Sequence, residues 1–303
     1  MYTIIGSGFG LYGYLPAIIK GLQGEVVLPE RYLPKIRVRP ELKDLEERIL
    51  WVKNKELALQ KATKLIVAVP PSIQSEVVRN SIESSKIKTV YLEKPVAPTP
   101  KDAIKFFEFF ELNEINYVIG YSFLYLGLQS KFNILINSSS NISWNWNFMA
   151  HHFYMDLQNW KRSHKSGGGV LRFYGIHVIA FLSLFGYDNV VESTLTADKF
   201  DEPYVWEVKF IGEDLPPCHL RIDCKSEKNI FDISSIELGT VISAGDPFDL
   251  LVEQSSQLDR RIPMLASILK EERSNISARK RKYKNINILW EKAESLTTWK
   301  DQT

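Results

Sequence analysis

The chain has 303 residues, enough for one large domain or two of medium size, and its 45% hydrophobic and 12% aromatic content supplies a sizeable core. That composition excludes a disordered or collagen-like chain. With 38 Lys and Arg against 36 Asp and Glu, the formal net charge is +2, so no general electrostatic argument points to a nucleic-acid or membrane partner.

In chain order, "YTIIGSG" reads as a short buried strand, and "FGLYGYLPAIIKGL" as a glycine-rich turn and a helix. "GEVVLPE" reads as a second strand. "RPELKDLEERI" has helical spacing, with Leu42, Leu45 and Ile49 on one face. "ILWVKN" reads as a strand and "KELALQKA" as a helix. "KLIVAVPPS" is a buried strand closed by two prolines. "IQSEVVRNSIESS" is helical, "KTVYLEKP" is a strand stopped by proline, "TPKDAIKFFEFFEL" is a helix and "NYVIGYSFLY" a strand. Strands that alternate with helices, and are continuously apolar, predict a parallel sheet covered on both faces.

The pattern then changes. "NISWNWNFMA" alternates, with Ile142, Trp144, Trp146 and Phe148 on one face. Stretches of "VVESTLTADKF", "YVWEVKFIG" and "CHLRIDC" alternate too, which predicts an open, mostly antiparallel sheet with one covered face. "GVLRFYGIHVIAFLSLFG" is a helix between them, and "YKNINILWEKAESLTTW" reads as a terminal helix. The expected fold is α/β. The boundary falls near Gly120, with a parallel-sheet domain over 1–120 and an α+β domain over 121–303.

Several sites are set aside. Cys218 and Cys224 are six apart, which would put them on one strand face, and lack zinc-type spacing, so they read as reduced and structural. His151 and His152 in "AHHF", read as strand neighbours, would point to opposite faces, so no metal is expected there. "ARKRKYK", Ala278 to Lys284, reads as a solvated face. "MYTIIGSG" lacks the features of a signal peptide and no apolar run is long enough to span a bilayer, so the expected location is cytoplasmic. The N-x-S sequences at Asn137, Asn141 and Asn275 then carry no meaning.

"IIGSGFGLYG" places Gly6, Gly8 and Gly10 between the first strand and the first helix, with Ser7, Phe9 and Leu11 among them. In a dinucleotide fold the first glycine makes the tight turn and the second admits the pyrophosphate to the backbone. The helix N-terminus then offers N–H groups to the phosphates. The third glycine of the fingerprint should fall at Leu11, flanked here by Gly10 and Gly13. Glu30, 24 residues after Gly6, stands where an acidic residue binds ribose hydroxyls, and Arg31 follows it. A carboxylate repels a 2′-phosphate and an arginine attracts one, so the pair leaves NAD and NADP open, with NAD favoured. A glycine-rich turn that binds nothing, with a surface glutamate beyond it, is the bland alternative.

Ligands of open α/β sheets sit beyond the carboxyl ends of the strands. There the chain carries Val69, Pro70 and Pro71, and then Glu93, Lys94 and Pro95. "GSGFG", "VAVPPS", "EKPVA" and "GGGVLRFYGIH" follow one another at intervals that resemble the Gfo/Idh/MocA oxidoreductase family, over about residues 2–186. The resemblance implies an NAD(P)-dependent oxidation or reduction of a sugar, cyclitol or related small molecule. It implies a homodimer or homotetramer packed through the C-terminal sheet. It carries the family's lysine near the nicotinamide onto Lys94 and its helical histidine onto His177. It also implies that Tyr121, Trp160, Arg162, Phe173 and Tyr174 shape the substrate side, with Lys161 and His164 as neighbours.

The chain departs from the family at telling places. The aspartate usual four residues before the histidine is Phe173, and the carboxylate common three residues after it is Ala180. Ser122 and Leu124 replace a polar Asn and Arg. A missing general acid or base typically costs about 10²–10⁴ in rate. Three readings follow: Lys94 and His177 manage proton transfer alone, the substrate is atypical (an imine or a conjugated C=C), or the protein binds cofactor without turnover, as a sensor or assembly partner. Without the family, a lone histidine on an apolar helix reads as a core residue.

Overall fold

A computed structural model describes residues 1–83, 85–251 and 258–301. The chain divides into two compact units. One comprises Met1–Ala97, Lys105–Ser122 and Glu253–Ile276; the other comprises Pro98–Ile104, Phe123–Val252 and Ser277–Thr303.

The first unit is built on six strands: β1 (Tyr2–Ile5), β2 (Val26–Pro29), β3 (Ile49–Val52), β4 (Lys64–Val67), β5 (Thr89–Leu92) and β6 (Asn116–Ile119). They form one parallel sheet in the order β3-β2-β1-β4-β5-β6. Every residue of β1, β2 and β5 is buried, as expected of short apolar strands covered on both faces. This is the Rossmann arrangement. The chain runs outward from β1 to β3, then returns to lay β4 on the other side of β1. The two connections diverge at that point and leave a crevice beyond the carboxyl ends of β1 and β4.

Two helices of this unit differ from expectation. The first is π-helical over Gly10–Tyr14 and Ala17–Gly21, with the Leu15 amide donating to the Gly10 carbonyl five residues back. Pro16 lies between these stretches and offers no N–H to an α-helical ladder. The segment Pro40–Arg48 is a 3₁₀ helix. Its buried Leu42 and Leu45 are three apart, which matches three residues per turn, and Ile49 instead opens β3. The helix Ile262–Lys270, not anticipated, packs on Ala17–Gly21. Just beyond it, Glu272 accepts from the Tyr91 hydroxyl at 2.7 Å and pairs with Lys64, tying this segment to β4 and β5.

The second unit holds β7 (Ile142–Met149), β8 (Asn189–Ala197), β9 (Pro203–Ile211), β10 (Cys218–Asp223), β11 (Lys225–Ser235), β12 (Gly239–Ala244) and β13 (Thr297–Asp301). Their order is β12-β11-β7-β10-β9-β8-β13. The sheet is mixed: β7–β10 and β8–β13 are parallel pairs, and the other neighbours are antiparallel. Alternation decides which face is covered. Ile142, Trp144 and Trp146 of β7 are buried, as are Cys218, Leu220 and Ile222 of β10 in register with them. Against the covered face lies a π-helical stretch, Val170–Gly175, continued by the helix Ile176–Leu184. Gly175 makes that approach possible, because a Cβ there would fall 2.3 Å from Cζ3 of Trp206.

Two local expectations are corrected. The terminal helix stops at Ser295, and Thr297–Asp301 is a strand beside β8. Its threonines suit a strand, and Thr297 Oγ1 shares a 2.7 Å hydrogen bond with Ser193 Oγ. His151 and His152 begin a single helical turn, His151–Tyr154, rather than extending β7. Both cysteines are buried and free. Among the described residues no helix is long and apolar enough to cross a membrane.

Candidate dinucleotide and substrate sites

At the end of β1, Gly6 has φ +123°, a region L side chains rarely enter, and a Cβ there would fall 2.2 Å from the Ala68 carbonyl oxygen. Glycine is therefore required for β1 to turn this close to the chain leaving β4. Gly8 is the opposite case: it is exposed, and a Cβ would meet nothing within 4 Å. The backbone is thus open at the place where a pyrophosphate would approach. Gly10 lies against Ile4, whose Cγ2 would be 2.8 Å from a Cβ, and Leu11 is buried. The Leu11 and Tyr12 amides donate to the Gly8 carbonyl at 2.9 and 3.3 Å, so the helix opens directly on the turn. Turn, opening and helix start fit a dinucleotide.

Glu30 and Arg31 sit in a 3₁₀ turn, Glu30–Tyr32, directly after β2, and both are exposed. Tyr32 is buried and accepts from the Gly6 amide through its hydroxyl, 3.3 Å away. The Arg31 guanidinium lies 5.1 Å over the Tyr32 ring. One cation here was not anticipated: Lys35 Nζ donates to Ser7 Oγ at 2.6 Å. A cation and a carboxylate thus both follow β2, with the cation reaching the β1 turn.

Beyond β4, Val69 and Pro70 lead into the helix Pro71–Ile82, with Pro71 at its first position. Its buried Gln74 donates to the carbonyls of Glu93 at 3.1 Å and Pro95 at 2.8 Å, bracketing Lys94. Lys94 itself is 9% exposed, so it is no surface lysine. Glu93 accepts from the Tyr14 hydroxyl at 2.6 Å. Burial pushes the Glu93 carboxyl above its ordinary pKa, opposed by that hydrogen bond and by the charges of Lys94 and Arg261. Tyr121, after β6, is buried, and burial raises its hydroxyl. Tyr14 and Arg261 were missed in the sequence, because neither belongs to a motif.

In the second unit, His177 is 5% exposed and stacks on Phe123 at 4.8 Å. Phe173 meets Trp160 edge-on at 5.3 Å and Tyr174 at 4.8 Å, with Lys161 Nζ 5.4 Å from its ring centre. Tyr174 also packs on Phe148 and on His152. Burial, then the charges of Lys161 and Arg162, push His152 down to about 4, so it is neutral at pH 7. The Arg162 guanidinium pairs with Asp156 and with Glu202, each at 2.6 Å. His164 lies with Arg172 on Glu294. Thus Trp160, Phe173 and Tyr174 form one aromatic group, and Arg162 and His164 belong to two ion-pair networks.

No protein-family model and no curated protein sequence matches the chain. Solved structures do. KijD10, a 3-ketoreductase from Actinomadura kijaniata in complex with NADP and TDP-benzene, matches 100% of this chain and 99% of its own, at 12% identity and a TM-score of 0.71. GenD2, from gentamicin A biosynthesis and in complex with NAD, matches 97% and 93% at 12% identity and a TM-score of 0.71. An oxidoreductase from Thermotoga maritima matches 96% and 94% at 13% identity and a TM-score of 0.69. The chain has the fold of these proteins, a Rossmann-like unit plus a mixed sheet, as its resemblance to the Gfo/Idh/MocA family implied.

Proposed function

We propose that this protein is an NAD(P)-dependent oxidoreductase that moves a hydride to or from a sugar-derived or related small molecule. One observation carries the proposal: the glycine turn stands at the β1–β4 switch point with Gly6 required and Gly8 open. The fold shared with KijD10 and GenD2 supports the same reading. In this reading Gly6 to Leu11 hold the pyrophosphate, Glu30 and Arg31 meet the ribose, and Val69, Pro70 and Pro71 line the crevice.

A bound nicotinamide supplies the hydride donor or acceptor. The chain must hold the substrate and handle the accompanying proton. Lys94, fixed by Gln74 through the carbonyls on either side, is the proposed group at the reacting oxygen or nitrogen. His177, in the second unit, is the other residue proposed to handle a proton. Phe173 brings an aromatic ring, not a carboxylate, to the helix face four residues earlier. That favours an imine or conjugated substrate, which does not require a carboxylate relay. The same packing of Phe173 against Trp160 and Tyr174 favours the second reading, a cofactor-binding protein without turnover. Titration with NADH and NADPH followed by nucleotide fluorescence tests what both share. A cofactor-oxidation screen against ketosugars, imines and conjugated carbonyls then separates them: turnover of any one supports the enzyme, and binding with no turnover supports the second reading.

We also place the homo-oligomer contact on the outer face of the β7–β13 sheet and its action in the cytoplasm. That face carries a shallow depression of about 340 Å³ edged by Glu192, Glu207, Lys209 and Arg221, charges of both signs that a second copy can complement. Size measurement by light scattering tests it, and a monomer would remove it.

A further inference from the structure

A path of contacts leads from the C-terminal segment to the end of β5, entirely within the first unit. The Arg261 guanidinium is aimed by Asp259, to which Nε and Nη2 donate at 2.9 and 2.7 Å. Its side chain is only 28% exposed, and its carbon centre lies 4.4 Å from the Phe9 ring centre. Gly13 also lies against that ring, where a Cβ would fall 2.5 Å from Phe9 Cε2. Phe9 is therefore closely packed, and it lies between Gly8 and Gly10 in the turn itself. It also meets Tyr14 edge-on at 5.5 Å, and Tyr14 donates to Glu93. Gly120 leaves room for that bond, since a Cβ there would lie 2.8 Å from the Tyr14 hydroxyl.

We propose that Arg261 is a positioning residue for the dinucleotide turn and for the Glu93–Lys94 corner, acting through Phe9 and Tyr14. The proposal rests on the dinucleotide-binding reading above. Arg261 acts on the turn by holding the Phe9 ring, a cation–π contact in a partly dehydrated place. It acts on the corner by charge. The groups facing Glu93 are Tyr14, Lys94 and Arg261; those facing Arg261 are Asp259, Tyr12 and Glu93. Farther out, Arg39 lies over Tyr12 and Arg260 faces Asp259. Arg261 and Tyr14 thus both favour the ionised Glu93 carboxylate against its burial. Ionised, that carboxylate holds the Tyr14 hydroxyl and balances Lys94; protonated, it holds both less firmly.

The test uses the full chain and whichever of NADH and NADPH it binds. Arg261→Leu is expected to weaken that binding about tenfold, the effect of losing a partly buried cation–π contact and its charge. The acid-side loss of binding moves to higher pH. Arg261→Lys keeps the charge and returns the midpoint toward wild type. Tyr14→Phe moves the midpoint in the same direction as Arg261→Leu. A variant set that loses thermal stability but keeps wild-type affinity and midpoint overturns the proposal. If Arg261→Leu does not fold, an unmoved midpoint in Tyr14→Phe overturns it. A wild-type chain that binds neither nucleotide overturns the parent reading instead, and with it this one.

Discussion

The two units use glycine and charge in opposite ways. In the first, the proposed chemistry rests on backbone: Gly6 lets β1 turn against Ala68, Gly8 leaves the turn open, and the cations stand around it. In the second, Gly175 serves packing against Trp206, and the polar groups pair among themselves: Arg162 with Asp156 and Glu202, Arg172 and His164 with Glu294. Function can therefore be altered at the first unit's turn without loss of fold. Changes at the β1 turn should act on ligand first, and changes to the second unit's ion pairs should act on stability first.

The largest expected effect is at Gly6. Gly6→Val puts a branched side chain at φ +123° and against the Ala68 carbonyl, and nucleotide binding should fall by more than about 100-fold. Retained binding, measured by fluorescence titration, would break the contrast at its strongest point. Next is Lys94→Ala. If the protein turns over, the rate should drop by about 10²–10⁴ while nucleotide affinity changes little. Equal losses of rate and nucleotide affinity, in single-turnover and binding assays, would make Lys94 a cofactor-holding residue only.

Glu294 sharpens the other side. Burial would raise its carboxyl, but hydrogen bonds from His164 and Arg172 outweigh that and hold it at about 2, against an ordinary 4.5. A depressed folded pKa gives stability that is fully present above the unfolded value and is lost as pH falls through the folded one. That contribution, about 3 kcal/mol from the shift, should therefore disappear between about pH 4.5 and pH 2. Glu294→Gln should lower unfolding free energy at pH 7 by about 3 kcal/mol, since it leaves Arg172 without its charged partner. The acid-side loss in a denaturant titration should shrink with it. Smallest is Trp160→Leu, which removes one edge-to-face contact with Phe173 and should cost about 1 kcal/mol with nucleotide affinity unchanged. A large loss of nucleotide affinity would show that the second unit controls the turn after all.

The same contrast explains what could be read from the sequence. The strands β1, β2, β4, β5 and β6, the glycine turn and the fold class were legible, because continuous apolar runs and backbone-permissive residues are local signals. The helical types were not: Pro16 and the Leu42–Leu45 spacing change the hydrogen-bond ladder without changing the apolar pattern. β11 begins with the polar run Lys225–Asn229, of which Glu227, Lys228 and Asn229 are exposed, so its first half gives no apolar pattern. β13 follows a long helix with only Leu296 between them, and its parallel pairing with β8 spans about a hundred residues. The partners of the candidate site, Lys35 on Ser7, Tyr14 on Glu93 and Arg261 over Phe9, are likewise separated in sequence or outside any motif. Phe173 was legible as a departure, and its enclosure by Trp160 and Tyr174 was not.

Whether the β1 turn is a dinucleotide site is decided by fluorescence titration of the full wild-type chain beside Gly6→Val, with NADH and NADPH in turn. Saturable binding of at least one nucleotide by the wild type is expected, with its loss in the variant and the second unit's fold retained by near-ultraviolet circular dichroism. Wild-type protein that binds neither nucleotide, or a variant that binds as well as wild type, would contradict that assignment.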